Sequence, residues 1–153
     1  MYTETLRDAL EWTSKFHSDL HDCMVHCSSQ ASDERSALLL DYLAKHEEKL
    51  ARLVAAFEQE GDTHALNTWC REHFNKKPVI EDSFSDRALA ELTPDELIEF
   101  VALKHSQIID LYKTLLAKAP IPGMTELLTQ LVELEEHEIM TMMQGAHQVG
   151  EAY

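Results

Sequence analysis

The stretch Leu43-Ala44-Lys45-His46-Glu47 places a histidine and a glutamate in the middle of a long segment with helical periodicity. A similar stretch, Leu134-Glu135-Glu136-His137-Glu138, lies in the middle of a second such segment. His17-Ser18 precedes the first stretch, and His105-Ser106 precedes the second. Each half of the chain therefore carries similar polar residues in the same order, at depths where packed helices usually present aliphatic side chains. The repeat predicts two similar helix pairs that share a polar layer.

Working outward from these stretches, apolar residues recur at three- and four-residue steps in four segments, which predicts helices over about residues 2–28, 33–60, 95–119 and 124–149. Thr93-Pro94-Asp95-Glu96 favours the start of the third helix, because Thr93 can cap it, proline suits the first helical position and Glu96 completes a capping box. Ala119-Pro120-Ile121-Pro122-Gly123 ends that helix, since proline cannot continue it. We therefore expect an all-α fold in a single domain over residues 1–153.

The lengths of the connections predict how the helices are arranged. Only a few residues join the first helix to the second, and the Pro-Gly turn joins the third to the fourth. Each pair is therefore expected to form an antiparallel hairpin. The segment 61–94 between the pairs is long enough to cross the length of a bundle, with a short helix expected around residues 64–73. The predicted architecture is a four-helix bundle of two antiparallel hairpins joined by a long crossover segment.

Composition and charge indicate which classes of protein and partner suit this chain. The chain has 153 residues, a net charge of −15 and 44% hydrophobic residues, which suits a folded domain and disfavours nucleic acid or an anionic membrane as a partner. With only four glycines it has no Gly-rich phosphate loop, and no organic cofactor is predicted. Its three cysteines include no CxxC pair, so we expect a cytoplasmic protein. Cys23 and Cys27 share a helix face with His21 and His26 nearby, but small buried hydrophobes are the commoner use of such cysteines.

The polar residues of the repeat predict a metal site. Placed on helical wheels, they lie on or beside the apolar stripes, and they reach similar depths when counted from the turns at a rise of about 1.5 Å per residue. Imidazole nitrogen and carboxylate oxygen are ligands of iron, manganese and zinc. The repeat favours His137 as an inward-facing residue, whereas the wheel favours Glu135, and both assignments stay open. The predicted metal ligands are His17, His46, Glu47, His105, His137 and Glu138.

The chain resembles the ferritin-like superfamily, and within it small rubrerythrin-like domains. The resemblance rests on the predicted topology, the twofold repeat and the acidic stretches Lys45-His46-Glu47-Glu48 and Glu135-Glu136-His137-Glu138. It implies a di-metal site with a carboxylate from helices one and three and a Glu-x-x-His motif from helices two and four. Here Leu43 and Leu134 stand at the motif's glutamate positions, and histidines stand at the other two carboxylate positions.

Two functions follow as alternatives. The first is a ferritin-like protein with a mono- or di-metal redox site of iron or manganese in the bundle core; the sequence assigns no catalytic residue. The second is a metal-free helical protein that acts as a structural or interaction module, for example in a stress response. The second predicts an apolar surface for a protein partner or a homodimer, formed by crossover residues Phe74, Val79, Ile80 and Phe84.

Overall fold

The computed structural model describes residues 5–31, 33–70 and 90–151, with side chains up to residue 149. These residues form helices that pack together, and they contain no strand beyond one isolated bridge between Thr5 and Trp69. The all-α prediction is confirmed for this part of the chain. The predicted surface of Phe74, Val79, Ile80 and Phe84 lies outside the described residues. The helices are α1 (Leu6–Gln30), α2 (Glu34–Glu60), α3 (Thr63–Leu66), α4 (Pro94–Ala117) and α5 (Pro122–Glu151).

Side-chain caps determine where three of the four long helices begin. The predicted capping box at Thr93 and Glu96 is confirmed: each side chain bonds to the backbone N–H of the other residue, at 3.2 and 3.0 Å. Thr5 and Asp8 form a second capping box at the start of α1. Asp33 caps α2 by accepting a hydrogen bond from a backbone N–H in the first turn. These caps satisfy N–H groups that have no partner within the helix, and so fix its first residue.

Helices α1 and α2 run in opposite directions along their whole length. Near their connection, the Ser28 hydroxyl donates to the carbonyl of Ala37 at 3.1 Å. Farther along, the Ser14 hydroxyl donates to the carbonyl of Ala51 at 3.0 Å. At the far end, Arg7 donates to the carbonyl of Glu58 at 3.3 Å. Residues near the end of α1 therefore contact residues near the start of α2, and residues near the start of α1 contact residues near the end of α2.

Between the long helices lies an apolar core that is interrupted at mid-length by polar side chains. Leu10, Leu20, Leu43, Leu50 and Leu131 are fully buried, and they come from three different helices. Burial of such side chains is the main stabilising contribution to the fold. None of the helices in the described ranges is long and apolar enough to cross a membrane.

Tyr42 and Gly145 form an unusually close contact between α2 and α5. A Cβ atom at position 145 would overlap the hydroxyl of Tyr42 and lie 2.5 Å from its Cζ. The Tyr42 ring also packs edge-on against His46, with the ring centroids 4.7 Å apart. Glycine at 145 is therefore required for the phenol ring to lie where it does.

We predict that Gly145→Ala destabilises the wild-type protein but stabilises a variant in which Tyr42 is replaced by alanine. Alanine stabilises a helix interior by about 1 kcal/mol relative to glycine. In the wild-type background the clash with Tyr42 should outweigh that gain, because overpacking costs about 1–3 kcal/mol. In a Tyr42→Ala background, Gly145→Ala should instead stabilise the protein, as measured by urea unfolding of all four proteins in the cycle. A stabilising Gly145→Ala in the wild-type background would contradict the contact.

Candidate metal centre

Four ionisable side chains, one from each long helix, meet in the centre of the helical core. They are His17 from α1, Glu47 from α2, His105 from α4 and Glu135 from α5. All four are completely buried. We call this group the His–Glu ring, because each imidazole lies between the two carboxylates.

His17 engages both carboxylates of the ring. Its Nδ1 lies 3.0 Å from Oε1 of Glu47, and its Nε2 lies 2.8 Å from Oε1 of Glu135. A carboxylate can only accept a hydrogen bond, so both ring nitrogens of His17 must donate. With both carboxylates ionised, this geometry requires the doubly protonated, positively charged imidazole, stabilised by a carboxylate on each side.

His105 completes the ring less tightly. Its Nε2 lies 2.8 and 2.7 Å from the two oxygens of Glu47. Its Nδ1 lies 3.5 Å from Oε2 of Glu135, which is long for a hydrogen bond. These two atoms are buried and have no hydrogen-bond partner among the described residues. The contact between His105 and Glu135 is therefore the weakest in the ring.

The electrostatics of the ring favour two positive and two negative charges. Burial alone lowers the pKa of His17, but the charges and hydrogen bonds of Glu135 and Glu47 outweigh it and raise that pKa to about 10. The pKa of His105 is also raised, against the effect of burial, chiefly by the charge of Glu47. Burial raises the pKa of Glu47 and of Glu135, but the two imidazoles lower each of them to about 2. The ring as a whole is therefore neutral.

The ring also contains a ligand set for a metal ion. One ligand atom from each of His17, His105 and Glu135 can be chosen so that all three lie within 4.8 Å of one another. Within this set, Nε2 of His17 and Oε1 of Glu135 lie 2.8 Å apart, a separation that two neighbouring ligands of one ion can have. Two ligands at right angles on an ion with bonds of about 2.1 Å lie about 3.0 Å apart. This buried group could therefore hold a metal ion.

The sequence-predicted residues divide between the ring and its surroundings. His17, Glu47 and His105 lie in the ring, where Glu135 supplies the fourth side chain. His137 is exposed to solvent and does not face the ring. The offset of the repeat could have identified Glu135, since His17 and His105 are 88 positions apart, as are Glu47 and Glu135. The aligned His46 and His137 are instead 91 positions apart, which rotates the second residue away from the core.

His46 and Glu138 form a separate pair outside the ring. His46 Nδ1 and Glu138 Oε2 lie 3.9 Å apart, and the other carboxylate oxygen of Glu138 pairs with the Lys49 ammonium at 2.9 Å. Burial lowers the pKa of His46. We call His46 and Glu138 the outer pair.

A layer of Thr13 and Tyr112 lies beside the ring. The fully buried Tyr112 hydroxyl donates to Oγ1 of Thr13 at 2.8 Å, and the Thr13 hydroxyl donates to the carbonyl of Leu10 at 3.2 Å. Burial raises the pKa of Tyr112, and the negative charge of Glu135 adds to this effect. Tyr112 is therefore a neutral, hydrogen-bonded residue beside the ring.

The cysteines predicted on one face of α1 are buried there. Cys23 and Cys27 have their sulfur atoms 4.0 Å apart, and Cys23 is 8% exposed. His26 is exposed, and His21 Nδ1 pairs with Asp22 at 3.0 Å. The two thiols thus occupy core positions, as small hydrophobic residues commonly do.

Comparisons of this chain with protein-family models, with curated proteins and with solved structures found no match.

We predict that Glu47→Leu strongly destabilises the metal-free protein. The substitution leaves two buried imidazoles without their shared carboxylate, and loss of one partner from a buried ion pair costs about 3–5 kcal/mol. The measurement is urea unfolding in the presence of a chelator. Glu48→Leu is the matched control, because its side chain is 62% exposed and lies 3.9 Å from the imidazole of His21. Equal effects of the two substitutions would contradict the proposed energetic role of the ring.

We also predict a distinctive pH dependence of stability in chelator. His17 has a folded pKa of about 10 and an ordinary value of 6.5, so its stabilisation is complete below 6.5 and is lost as the pH rises toward 10. Glu47 and Glu135 have folded pKa values of about 2 and ordinary values of 4.5. The stabilisation that these two carboxylates contribute is therefore lost as the pH falls from 4.5 toward 2. The free energy of unfolding should therefore be highest between about pH 4.5 and 6.5.

The matched control for this pH series is His17→Gln, which removes the imidazole with the strongly raised pKa. The free energy of unfolding of the variant should fall less between pH 6.5 and 9 than that of the wild type. Parallel curves for the two proteins would show that His17 is not preferentially protonated in the folded state.

Proposed function

We propose that this chain is a ferritin-like, metal-binding helical protein that holds a divalent iron or manganese ion in the His–Glu ring. The observation that carries the proposal is the meeting of two imidazoles and two carboxylates, one from each long helix, in a fully buried layer. Such a layer must be neutral and saturated with partners to be tolerated in a core. A metal ion satisfies both requirements.

Charge balance supports a divalent ion. Without metal, two imidazolium groups offset two carboxylates. With a divalent ion, two neutral imidazoles and the same two carboxylates again give a net charge of zero. One ion can thus replace two protons without changing the charge that the core must accommodate. His105 Nδ1 and Glu135 Oε2 lie 3.5 Å apart and make no hydrogen bond within the described residues, so this weak contact is one that an ion could replace once the imidazole loses its proton.

The ligand types support iron or manganese. Two histidines and one carboxylate with open positions are the ligand set of many mononuclear Fe(II) sites, and manganese accepts the same donors. Glu47 contributes a second carboxylate beside His17 and His105. When bound, iron or manganese supplies one-electron redox chemistry, while the protein residues hold it and limit access of water.

The connectivity supports the ferritin-like part of the proposal. Gln30 and Asp33, at the connection of α1 and α2, line a cavity together with residues 90–94, which lead into α4. At the other end, Gly61 and Asp62 line a cavity with Gly123, near the start of α5. The segment between α2 and α4 therefore begins at one end of the helical core and finishes at the other. A long crossover of this kind distinguishes ferritin-like bundles from bundles with short loops throughout.

A second candidate function is a metal-free helical structural protein. The observation that favours it is that His17, Glu47, His105 and Glu135 already engage one another through hydrogen bonds. Both candidates require the ring for stability in chelator, so the response to metal distinguishes them.

We predict near-stoichiometric uptake of iron or manganese by the full chain, measured by elemental analysis after dialysis. Metal at 100-fold excess over its dissociation constant stabilises a protein by about 2.7 kcal/mol, which should raise Tm by roughly 5–10 °C. Calorimetric titration in two buffers should show release of about two protons per ion. His17→Leu with His105→Leu should abolish uptake, whereas His137→Leu, at an exposed position, should not.

Two outcomes would overturn the metal proposal. One is a folded wild-type protein that retains no iron, manganese or zinc and whose Tm is unchanged by these ions; this result would favour the metal-free candidate. The other is uptake that persists in the variant with both ring histidines replaced, since the ion would then bind elsewhere. Stoichiometric zinc in place of iron and manganese would overturn the redox assignment while keeping the site.

A further inference from the structure

The outer pair has the features of a binding position in its own right. The Glu138 side chain is 7% exposed, and that of His46 is 17% exposed. Glu138 Oε2 and His46 Nδ1 are buried atoms with no hydrogen-bond partner in the described part of the chain. Their separation of 3.9 Å is too long for a hydrogen bond, but two ligands of one ion with bonds of about 2.1 Å can lie this far apart. The two atoms therefore have room for a small cation between them.

The outer pair also leads toward the His–Glu ring. Glu138 follows Glu135 by three residues on α5, so the two carboxylates lie about one helical turn apart on the same side of the helix. His46 directly precedes Glu47 on α2. The ring is completely buried, whereas the outer pair keeps partial contact with solvent. A cation that reached the outer pair would thus be close to the ring.

Lys49 occupies the position of a competing cation. Its ammonium lies 2.9 Å from Oε1 of Glu138, and its side chain is 47% exposed, so it can turn into solvent. On the other side, the Tyr42 ring packs edge-on against His46 at 4.7 Å and orients the imidazole. An arriving cation would replace the Lys49 charge beside Glu138, and the buried carboxylate would remain compensated throughout.

From this arrangement we propose that His46 and Glu138 form a second cation site, which captures a divalent metal ion from solvent before it passes to the His–Glu ring. Lys49 covers this site in the absence of metal and leaves Glu138 when the ion arrives. The inference rests on the proposed metal-binding function of the ring. It adds a route and an order of events: capture between α2 and α5 comes first, and binding among all four helices follows.

The test is the rate at which the metal-free full chain takes up Co²⁺, followed by stopped-flow visible absorbance. Co²⁺ is a suitable probe because N/O sites generally bind it more tightly than Fe²⁺ or Mn²⁺. Glu138→Gln and His46→Gln should each slow uptake by about tenfold, since a carboxylate or imidazole that attracts the ion has been lost. With one Co²⁺ per protein, the final absorbance should equal that of the wild type, because the single ion ends in the ring, whose ligands are intact.

Lys49→Gln should have the opposite effect on the uptake rate. Lys49 is half-exposed, so its replacement should not impair folding. Removal of the ammonium uncovers Glu138, so uptake should accelerate by roughly threefold or more. His137→Gln is the matched control, because it removes an exposed imidazole next to Glu138 and should leave the rate unchanged. Tm values in chelator report the folding of each variant.

The outcomes separate this inference from the function on which it rests. Wild-type uptake rates in both Glu138→Gln and Lys49→Gln would overturn the capture site and leave the ring site standing. A lower final absorbance in Glu138→Gln would also overturn it, because Glu138 would then be a ligand of the final site. No uptake of Co²⁺ by the wild type would overturn the ring site itself.

Discussion

The mutual neutralisation of two imidazoles and two carboxylates is the constraint on which the rest of this structure depends. An isolated charge in such a core would be very costly, and even a paired one is tolerated only with good geometry. Each long helix contributes one member of the His–Glu ring, so no helix can be shifted or rotated without breaking the ring. The apolar core supplies most of the stabilisation, but leucines alone would permit several registers. The ring favours one of them.

The same constraint connects proton chemistry to metal chemistry. The lone pairs that would bind a divalent ion are those that carry protons in the metal-free ring, and either arrangement leaves the core neutral. Protonation and metal binding are therefore competing states of one site, and any ion that binds must displace protons. Tyr112 and Thr13 beside the ring are uncharged and hydrogen-bonded to each other, so they neither supply a competing charge nor leave an open polar group.

The sequence contains enough information to predict the helices and part of the ring. Long segments with clear periodicity and a strong capping box, such as Thr93 with Glu96, are decided locally, and the structure has them as predicted. His17, Glu47 and His105 could be found because each interrupts an apolar stripe at mid-depth. The helical wheel favours Glu135 and the alignment of the two acidic stretches favours His137, so the sequence leaves both open, although the offset of 88 positions shared by His17 with His105 and by Glu47 with Glu135 points to Glu135. The separation of the outer pair from the ring depends on angstrom-scale distances between α2 and α5, which periodicity does not determine.

The most direct test of the account is a crystal structure of the protein loaded with Fe²⁺ without oxygen, with diffraction recorded on both sides of the iron absorption edge. We expect one anomalous peak within the ring, at about 2.0–2.2 Å from a nitrogen of His17, a nitrogen of His105 and an oxygen of Glu135. The opposite result would be iron-treated crystals with no anomalous peak in the ring and the His17–Glu135 hydrogen bond still at 2.8 Å. The ring would then be a purely structural ion-pair network, and the central claim of a metal site would be wrong.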